Sequence, residues 1–344
     1  MKFRGKQITK ERLGWWISII LSKVFGAKVN LENSEKHVKI FPLIWGGKLH
    51  LFGAQYQALQ SRFEWPYILS LKLSEGSALI GKPSTHLAGN GRVCAVLCHL
   101  PAADADRVME FFKAMTPDAC VVLAYGGKKE EFEAVTFSNK FFISDERIRG
   151  IGYRQSYFGV MDDLAAWMET ERIAPRWITI LDYDCVPLDR GWNNTLTGIM
   201  EREQADMGGK YFRNCTGDNS LFVCNALRDG ILQQLEEKFS RIQLYQCLGA
   251  LMCFSAGGFH EIRRLREDFQ DIFFEVSLPT SARLQGLRLL SLDSIGELTK
   301  GVRFRPVYAA EEIASEILSG KLIVHPVKAL ESVHVNILKL PKNR

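Results

Sequence analysis

From residue 92 onward the chain predicts an α/β fold, an open mixed sheet with flanking helices, set behind an N-terminal extension. Three observations carry that expectation. The stretches "RVCAVLCHLP", "ACVVLAYGG" and "WITILDYD" are short and apolar at consecutive positions, as strands buried on both faces are. Between them, "ADADRVMEFFKAM" and "SYFGVMDDLAAWMETERI" repeat their apolar residues at helical spacing. Strand and helix then keep alternating, the signature of a sheet covered on both sides.

The extension comes first. Residues 1–30 carry seven Lys and Arg against the single acid Glu11, a surplus of +6 in a chain whose total is +5, so the remainder is close to neutral. A nucleic-acid-binding body spreads its basic residues over a folded face. Here they form a basic arm, and no nucleic-acid partner is expected. Within "ERLGWWISIILSKVF", Leu13, Trp16, Ile17, Ile20, Leu21 and Val24 form one apolar stripe at helical spacing. The uninterrupted run, Trp15 to Leu21, is far short of the roughly 20 residues of a membrane span. Two readings fit residues 9–25: a helix packed on the protein's own core, or an in-plane helix at an anionic membrane surface, with Trp at the interface. Residues 31–90 follow as short strands with Gly-Gly turns in "HVKIFPLIWGGKLHLFGAQY". The loop "GKPSTHLAGNGR" then marks a boundary near residue 90.

The eight cysteines contain no C-x-x-C pair, and Cys94, Cys98, Cys120 and Cys253 sit in apolar runs. Neither a disulfide framework nor a zinc site is expected, and the compartment implied is a reducing, cytoplasmic one. Nor does any G-x-G-x-x-G follow a strand, which argues against a dinucleotide oxidoreductase.

After "ACVVLAYGG" come a Lys/Glu-rich connection, the strand "KFFISD", a helix, and the strand "WITILDYD". The stretch "WNNTLTGIMEREQ" predicts a helix and "ADMGGKYF" a further strand. The most informative stretch is "WITILDYDCVPLDRGW", residues 177–192. A buried strand ends in two carboxylates one residue apart. Strand side chains alternate, so Asp182 and Asp184 point to one face. There they suit one hard cation with positions left over for phosphate. In an open α/β sheet, ligands bind at this carboxyl end of the strands. The bland alternative is a pair of loop acids that cap the next helix or pair with Arg190. Asp104-Ala105-Asp106 has the same acid-x-acid pattern, but it begins a helix, where capping accounts for it. Met161-Asp162-Asp163 lies within a helix and predicts a solvated face.

Over about residues 92 to 328 the chain resembles the GT-A fold glycosyltransferases, Rossmann-like nucleotide-sugar enzymes, and most nearly glycosyltransferase family 2. The resemblance rests on the strand–helix–strand opening, on Asp182-Tyr183-Asp184 as the family's D-x-D, on "CLGALMCFSAGGFHEI" (247–262) and on "SLDSIGELTKGVRFRPV" (291–307). It implies that Asp184 binds Mn²⁺ or Mg²⁺ bridging the donor's diphosphate, and that Asp182 approaches the ribose or sugar and shares the ion. It also implies that Asp293 stands where the catalytic base falls, although Leu292 replaces the usual Glu before it; the residues alone fit equally a cap for a helix over "SIGELTKG". In "LIVHPVK", His325 takes the place of a late metal-site His, and Lys328 is near enough to meet phosphate charge. Strand two ends in Tyr125-Gly126-Gly127 where the family has an acid that touches the base. His99 is expected near the base. Asp145 either contacts the nucleoside or begins a turn.

The domain division that follows is an extension over 1–90, a nucleotide-sugar-binding half over 91–215 and an acceptor-binding half over 216–344. The implied activity is metal-dependent sugar transfer from a nucleotide-sugar donor, a UDP-sugar first, to a glycan or lipid-linked acceptor, with inversion. Rivals are a retaining transferase and a non-catalytic nucleotide-sugar or glycan binder. A nucleotidyltransferase ranks lower, because "CHLPAADAD" lacks a basic Gly-rich loop. The implied location is cytoplasmic or peripheral on the inner face of a membrane.

Overall fold

The computed structural model describes residues 91–149, 155–214, 230–239, 242–304, 306–328 and 337, together with five short strands before residue 81. Residues 9–25 and the loop at 81–90 lie outside the described residues. In chain order the elements begin with β1 (Lys2–Phe3), β2 (Lys6–Gln7), β3 (Leu43–Trp45), β4 (Lys48–His50) and β5 (Leu79–Ile80). Next come β6 (Arg92–Cys98), α1 (Ala102–Met115), β7 (Cys120–Tyr125), α2 (Lys129–Ala134), β8 (Lys140–Phe142) and α3 (Phe158–Thr170). They continue with β9 (Trp177–Asp182), β10 (Val186–Pro187), α4 (Trp192–Arg202), β11 (Met207–Asn214), α5 (Ile231–Phe239) and β12 (Tyr245–Ser255). The last are α6 (Ala256–Arg263), α7 (Arg266–Phe269), α8 (Phe274–Leu284), β13 (Leu289–Ser291), α9 (Ala310–Leu318) and β14 (Ile323–Val324).

The chain divides into two compact units. One takes Met1–Lys72 and Cys215–Gln243, the other Leu73–Asn214 and Leu244–Arg344. Within the first, β1 pairs with β2 and β3 with β4, both antiparallel. Trp45 pairs with Lys48.

The second unit is the expected α/β body. Its eight-stranded sheet has the order β5-β13-β11-β12-β9-β6-β7-β8. β12 and β5 run against the other six, so the sheet is mixed but mostly parallel. The apolar runs become its centre, because both faces are covered. Cys94, Val96 and Cys98 of β6 and Val121, Leu123 and Tyr125 of β7 pack in one core with Phe111 and Phe112 of α1 and Trp192 and Leu196 of α4. Val93, Ala95 and Leu97, which alternate with them toward the opposite face, are buried as well.

The structure corrects two local expectations. Asp104 and Asp106 do not cap α1: its N-cap is Pro101, with no side-chain cap bond. Asp104 pairs with Arg107, and Asp106 instead accepts from the Thr136 and Phe137 amides (2.9 and 2.8 Å), tying the far loop to the helix. Asp162 and Asp163 are not a solvated face. Asp162 binds Arg263 at 2.8 Å and also Arg266, while Asp163 accepts from the Ser144 amide at 2.8 Å. The segment after β13 is a 3₁₀ helix, Leu292–Thr299. The described cysteines are all free. No described helix is long and apolar enough to cross a membrane.

Candidate active site

β9 delivers Asp182 as its last residue, at the carboxyl edge of the sheet, and the chain turns there: the Cys185 amide donates to the Asp182 carbonyl at 2.9 Å. The residues after the turn form β10, which pairs antiparallel with β14, Val186 opposite Val324 and Pro187 opposite Ile323. The clasp continues on both sides, with Leu188 N–H on the Leu322 carbonyl (2.8 Å) and Val327 N–H on the Asp184 carbonyl (3.0 Å). That register lays His325 beside the acidic turn. Ligand atoms of Asp182, Asp184 and His325 lie within 4.8 Å of one another.

Each of the three is held. The Tyr157 hydroxyl donates to Asp182 Oδ1 at 3.1 Å, and the Tyr157 ring lies flat on Phe274, centroids 3.7 Å apart. His325 Nδ1 bonds the Arg303 carbonyl at 2.8 Å, which makes Nδ1 the protonated nitrogen and turns Nε2 toward Asp184 Oδ1, 3.4 Å away. Asp184, only 4% exposed, also pairs with Lys328, not with Arg190.

Burial pushes Asp182 up to about 7, and the Asp184 charge adds to the push, while His325, Tyr157 and Lys328 hold it back. For Asp184, burial also works upward, but the bonds and charges of His325 and Lys328 outweigh it and the carboxyl ends below its ordinary value. One carboxylate is thus ionised with cations around it, and its neighbour is short of positive charge. Two carboxylates and an imidazole nitrogen in this geometry fit Mn²⁺ or Mg²⁺, and the unmet charge at Asp182 is what such an ion relieves.

Beside the three ligands opens a cavity of about 1100 Å³, lined by Asp182, Tyr183, Asp184 and Lys328 at one end. Lys128, Lys129 and Arg149 supply positive charge along it, and Phe142 and Tyr183, both part-exposed, supply aromatic surface. His99, exposed at the end of β6, lines the same cavity and meets the Tyr183 ring edge-on at 5.1 Å. Burial and then the Lys328 charge lower its pKa, against Asp184. Tyr125 is fully buried, its hydroxyl donating to the Leu100 carbonyl at 2.7 Å. Gly127 is required next to it, since a Cβ there would lie 2.8 Å from the Tyr125 ring.

Two residues singled out in the sequence lie apart from this cluster. Asp145 is turned away from the cavity wall: Arg147 binds its Oδ1 at 2.9 Å and Arg266 reaches its Oδ2 at 3.5 Å. Asp293, just past β13, accepts the Tyr211 amide on Oδ2 at 2.7 Å and stands 3.8 Å from the buried Lys210 ammonium. β9, β11 and β13 run parallel, so Asp293 is on the same edge of the sheet as Asp182, on the far side of β12.

Two contributors carry no signal in the sequence. Tyr157 stands at the start of a helix. Glu275 accepts the Gly249 amide at 2.8 Å, in a stretch of β12 where Gly249–Leu251 fall between the partners of the consecutive β11 residues Gly209 and Lys210. Burial pushes Glu275 up to about 7, with the Asp182 charge contributing.

No family model and no curated protein matches the sequence. Among solved structures, 61% of the chain is similar to a mannosyltransferase of Pyrobaculum calidifontis in complex with GDP-mannose and Mn²⁺, at 14% identity and a TM-score of 0.34. The match spans 58% of that enzyme's own chain. Glucosyl-3-phosphoglycerate synthase of Mycobacterium tuberculosis, with Mn²⁺, UDP and its product, is similar over 67% of this chain and 77% of its own, at 11% identity and a TM-score of 0.28. A CMP-2-keto-3-deoxy-manno-octonic acid synthetase with CTP is similar over 59% of this chain and 89% of its own, at 8% identity and a TM-score of 0.31.

Proposed function

We propose that the chain is a metal-dependent glycosyltransferase of GT-A type, moving a sugar from a nucleotide-sugar donor to a glycan or lipid-linked acceptor. The observation that carries this reading is the convergence of Asp182, Asp184 and His325 at the carboxyl edge of the sheet, opening on a cavity lined with lysine, arginine and aromatic side chains. A cavity of this size suits a nucleotide, with aromatic surface for the base and cations for the diphosphate.

Asp184, His325 and Asp182 are the residues that would hold the cation. When bound, a divalent ion supplies Lewis-acid stabilisation of the leaving diphosphate. Tyr157 keeps Asp182 aimed at the ion, and the Arg303 carbonyl fixes the His325 tautomer that presents Nε2. Lys328, 57% exposed at its side chain, swings from Asp184 to the diphosphate. Asp293, fixed by the Tyr211 amide, takes the proton of the acceptor hydroxyl, as inversion requires of a base opposite the leaving group. The basic arm of residues 1–30 supports a place at an anionic, cytoplasmic membrane surface, where a lipid-linked acceptor is presented.

A retaining transferase is the second reading. One observation favours it: Asp293 is not part of the donor cavity wall, and one of its oxygens is committed to Tyr211. The anomeric configuration of the product, read by proton NMR, separates the two.

The donor reading is tested by a binding and hydrolysis panel of UDP-, GDP-, dTDP- and CMP-sugars, with and without Mn²⁺, on the native protein and on Asp184→Ala. Metal-dependent nucleotide release by the native protein alone is the expected result. If no nucleotide sugar binds under either condition, the reading is wrong.

A further inference from the structure

Three non-glycine residues among those described have positive φ: Arg172 (57°), Gln204 (52°) and Tyr211 (58°). The first two need no special account. Each is the residue just past a helix C-cap, after α3 and α4, where a left-handed residue closes the last turn. Tyr211 is different, because it lies inside strand β11. There the chain carries a β-bulge: between the pairs Lys210–Leu248 and Arg213–Gln246, Tyr211 and Phe212 stand opposite the single residue Cys247. Bulges with a left-handed first residue normally place glycine there, since any Cβ meets the following carbonyl. This chain has a bulky aromatic there, a genuine outlier at positive φ.

The neighbours hold the residue in that conformation. The Tyr211 amide, released from the ladder by the bulge, donates to Asp293 Oδ2 at 2.7 Å. The Lys210 ammonium, itself only 3% exposed and bonded to the Thr299 carbonyl, stands 5.1 Å from the Tyr211 ring centroid. The ring is braced from within by a cation, yet the residue remains 41% exposed. Its place in the sheet is also specific. β11 runs parallel to β9 and β13, so the bulge lies toward the carboxyl edge that carries Asp182 and Asp293. The Lys210 charge is felt at both Asp293 and Cys185, the residue after Asp184. A strained backbone persists only where its surroundings over-determine it, and such strain clusters at functional sites. This one turns an aromatic outward beside the proposed base.

We propose that Tyr211 is the platform for the acceptor sugar, a hexopyranose whose C–H face lies on the exposed face of the phenol ring. The proposal rests on the transferase reading above. Pyranose rings present axial C–H groups carrying partial positive charge, and the face of an aromatic ring is negative. A two-torsion side chain offers that surface at little entropic cost. Held by the Asp293–Tyr211 bond, the ring and the proposed base move as one piece, so a sugar stacked on Tyr211 brings its hydroxyl to Asp293.

The test is a panel of methyl glycosides (glucoside, galactoside, mannoside and N-acetylglucosaminide) titrated with saturating nucleoside diphosphate and Mn²⁺, read by saturation-transfer NMR and calorimetry. The native protein is expected to bind at least one of them through its ring C–H protons. Tyr211→Gly, which removes the aromatic and suits the backbone, is expected to bind it about tenfold more weakly, with a thermal midpoint at or above the native one. Tyr211→Asn, also at ease at positive φ, gives the same loss and guards against a folding defect in the glycine variant. Arg172→Gly relieves the same strain at a helix end and leaves glycoside binding unchanged. Glycoside affinity equal to native in both Tyr211 variants overturns the proposal, as does native protein that binds nucleotide sugar but none of the panel. Native protein that binds a glycoside through Tyr211 but no nucleotide sugar overturns the transferase reading and leaves the platform standing.

Discussion

The ammonium of Lys328 pairs with the carboxylate of Asp184, the group best placed to hold a divalent ion. The lysine therefore contends with the metal for one ligand. Replacing it with a neutral chain of similar shape, Lys328→Met, leaves Asp184 to the ion and removes a charge from the phosphate end of the cavity. Mn²⁺ affinity, followed by electron paramagnetic resonance, should rise by up to about tenfold, since the lysine is more than half exposed and its charge is screened. Nucleotide affinity should fall in the same variant. A variant in which both affinities fall together would mean that Lys328 helps to assemble the site.

Asp184→Asn removes the ionised ligand. The loss in Mn²⁺ affinity should exceed the roughly 10–100-fold that an outer partner costs. Tyr157→Phe removes only such an outer partner: the ring still stacks on Phe274, but the bond to Asp182 is gone. Its Mn²⁺ affinity should drop by about tenfold or more, with stability reduced by about 1 kcal/mol at most.

Glu275 sets a pH dependence. Burial raises its carboxyl from 4.5 to about 7, so across that interval the folded state keeps a proton the unfolded chain has released. Stability from this group is therefore complete below about pH 4.5 and declines as pH rises toward 7. In Glu275→Gln the decline disappears, and the difference between variant and native should grow by on the order of 1–3 kcal/mol over that window. Urea melts at pH 5 and pH 8 measure it. A parallel shift at both values would show that Glu275 titrates as an ordinary carboxyl.

Gly159→Ala tests the seat of α3. A Cβ at this position would lie 2.1 Å from the Asp145 Cβ, whose carboxylate is fixed by Arg147 and Arg266. The helix must shift or the arginine pair must break, and the expected loss is about 1–3 kcal/mol in urea denaturation. Asp145 thus acts in this fold as a brace between the end of β8, the start of α3 and α7.

The fold was legible where burial is simple. "CAVLC" and "VVLAY" are apolar at every position because helices cover both faces of the sheet, and that doubling leaves a mark no amphipathic strand has. The place of Asp182 at a strand end was readable for the same reason. What the residues themselves did not reveal depends on register. His325 stands beside Asp184 because Val324 pairs with Val186, and nothing local in "LIVHPVK" encodes that pairing. Asp162 and Asp163 follow helical spacing like any solvated face, and only the approach of α6 and α7 brings arginines to Asp162. Tyr211 sits in a stretch, "ADMGGKYF", that looks like an ordinary strand, because a bulge is written in the mismatch between two strands and in neither alone.

The clasp between β10 and β14 also bears on how the protein is made. Lys328 and Asp184 are separated by 144 positions, and His325 reaches the acidic turn only through the same late pairing. Translation lays down the central strands first, so the nascent domain holds two crowded carboxylates at its edge before any counter-charge from the carboxyl-terminal segment exists. Synthesis halted before residue 322 would leave the main sheet but not the third ligand. The third potential ligand is therefore set beside the acidic turn only after every strand of the main sheet has been made.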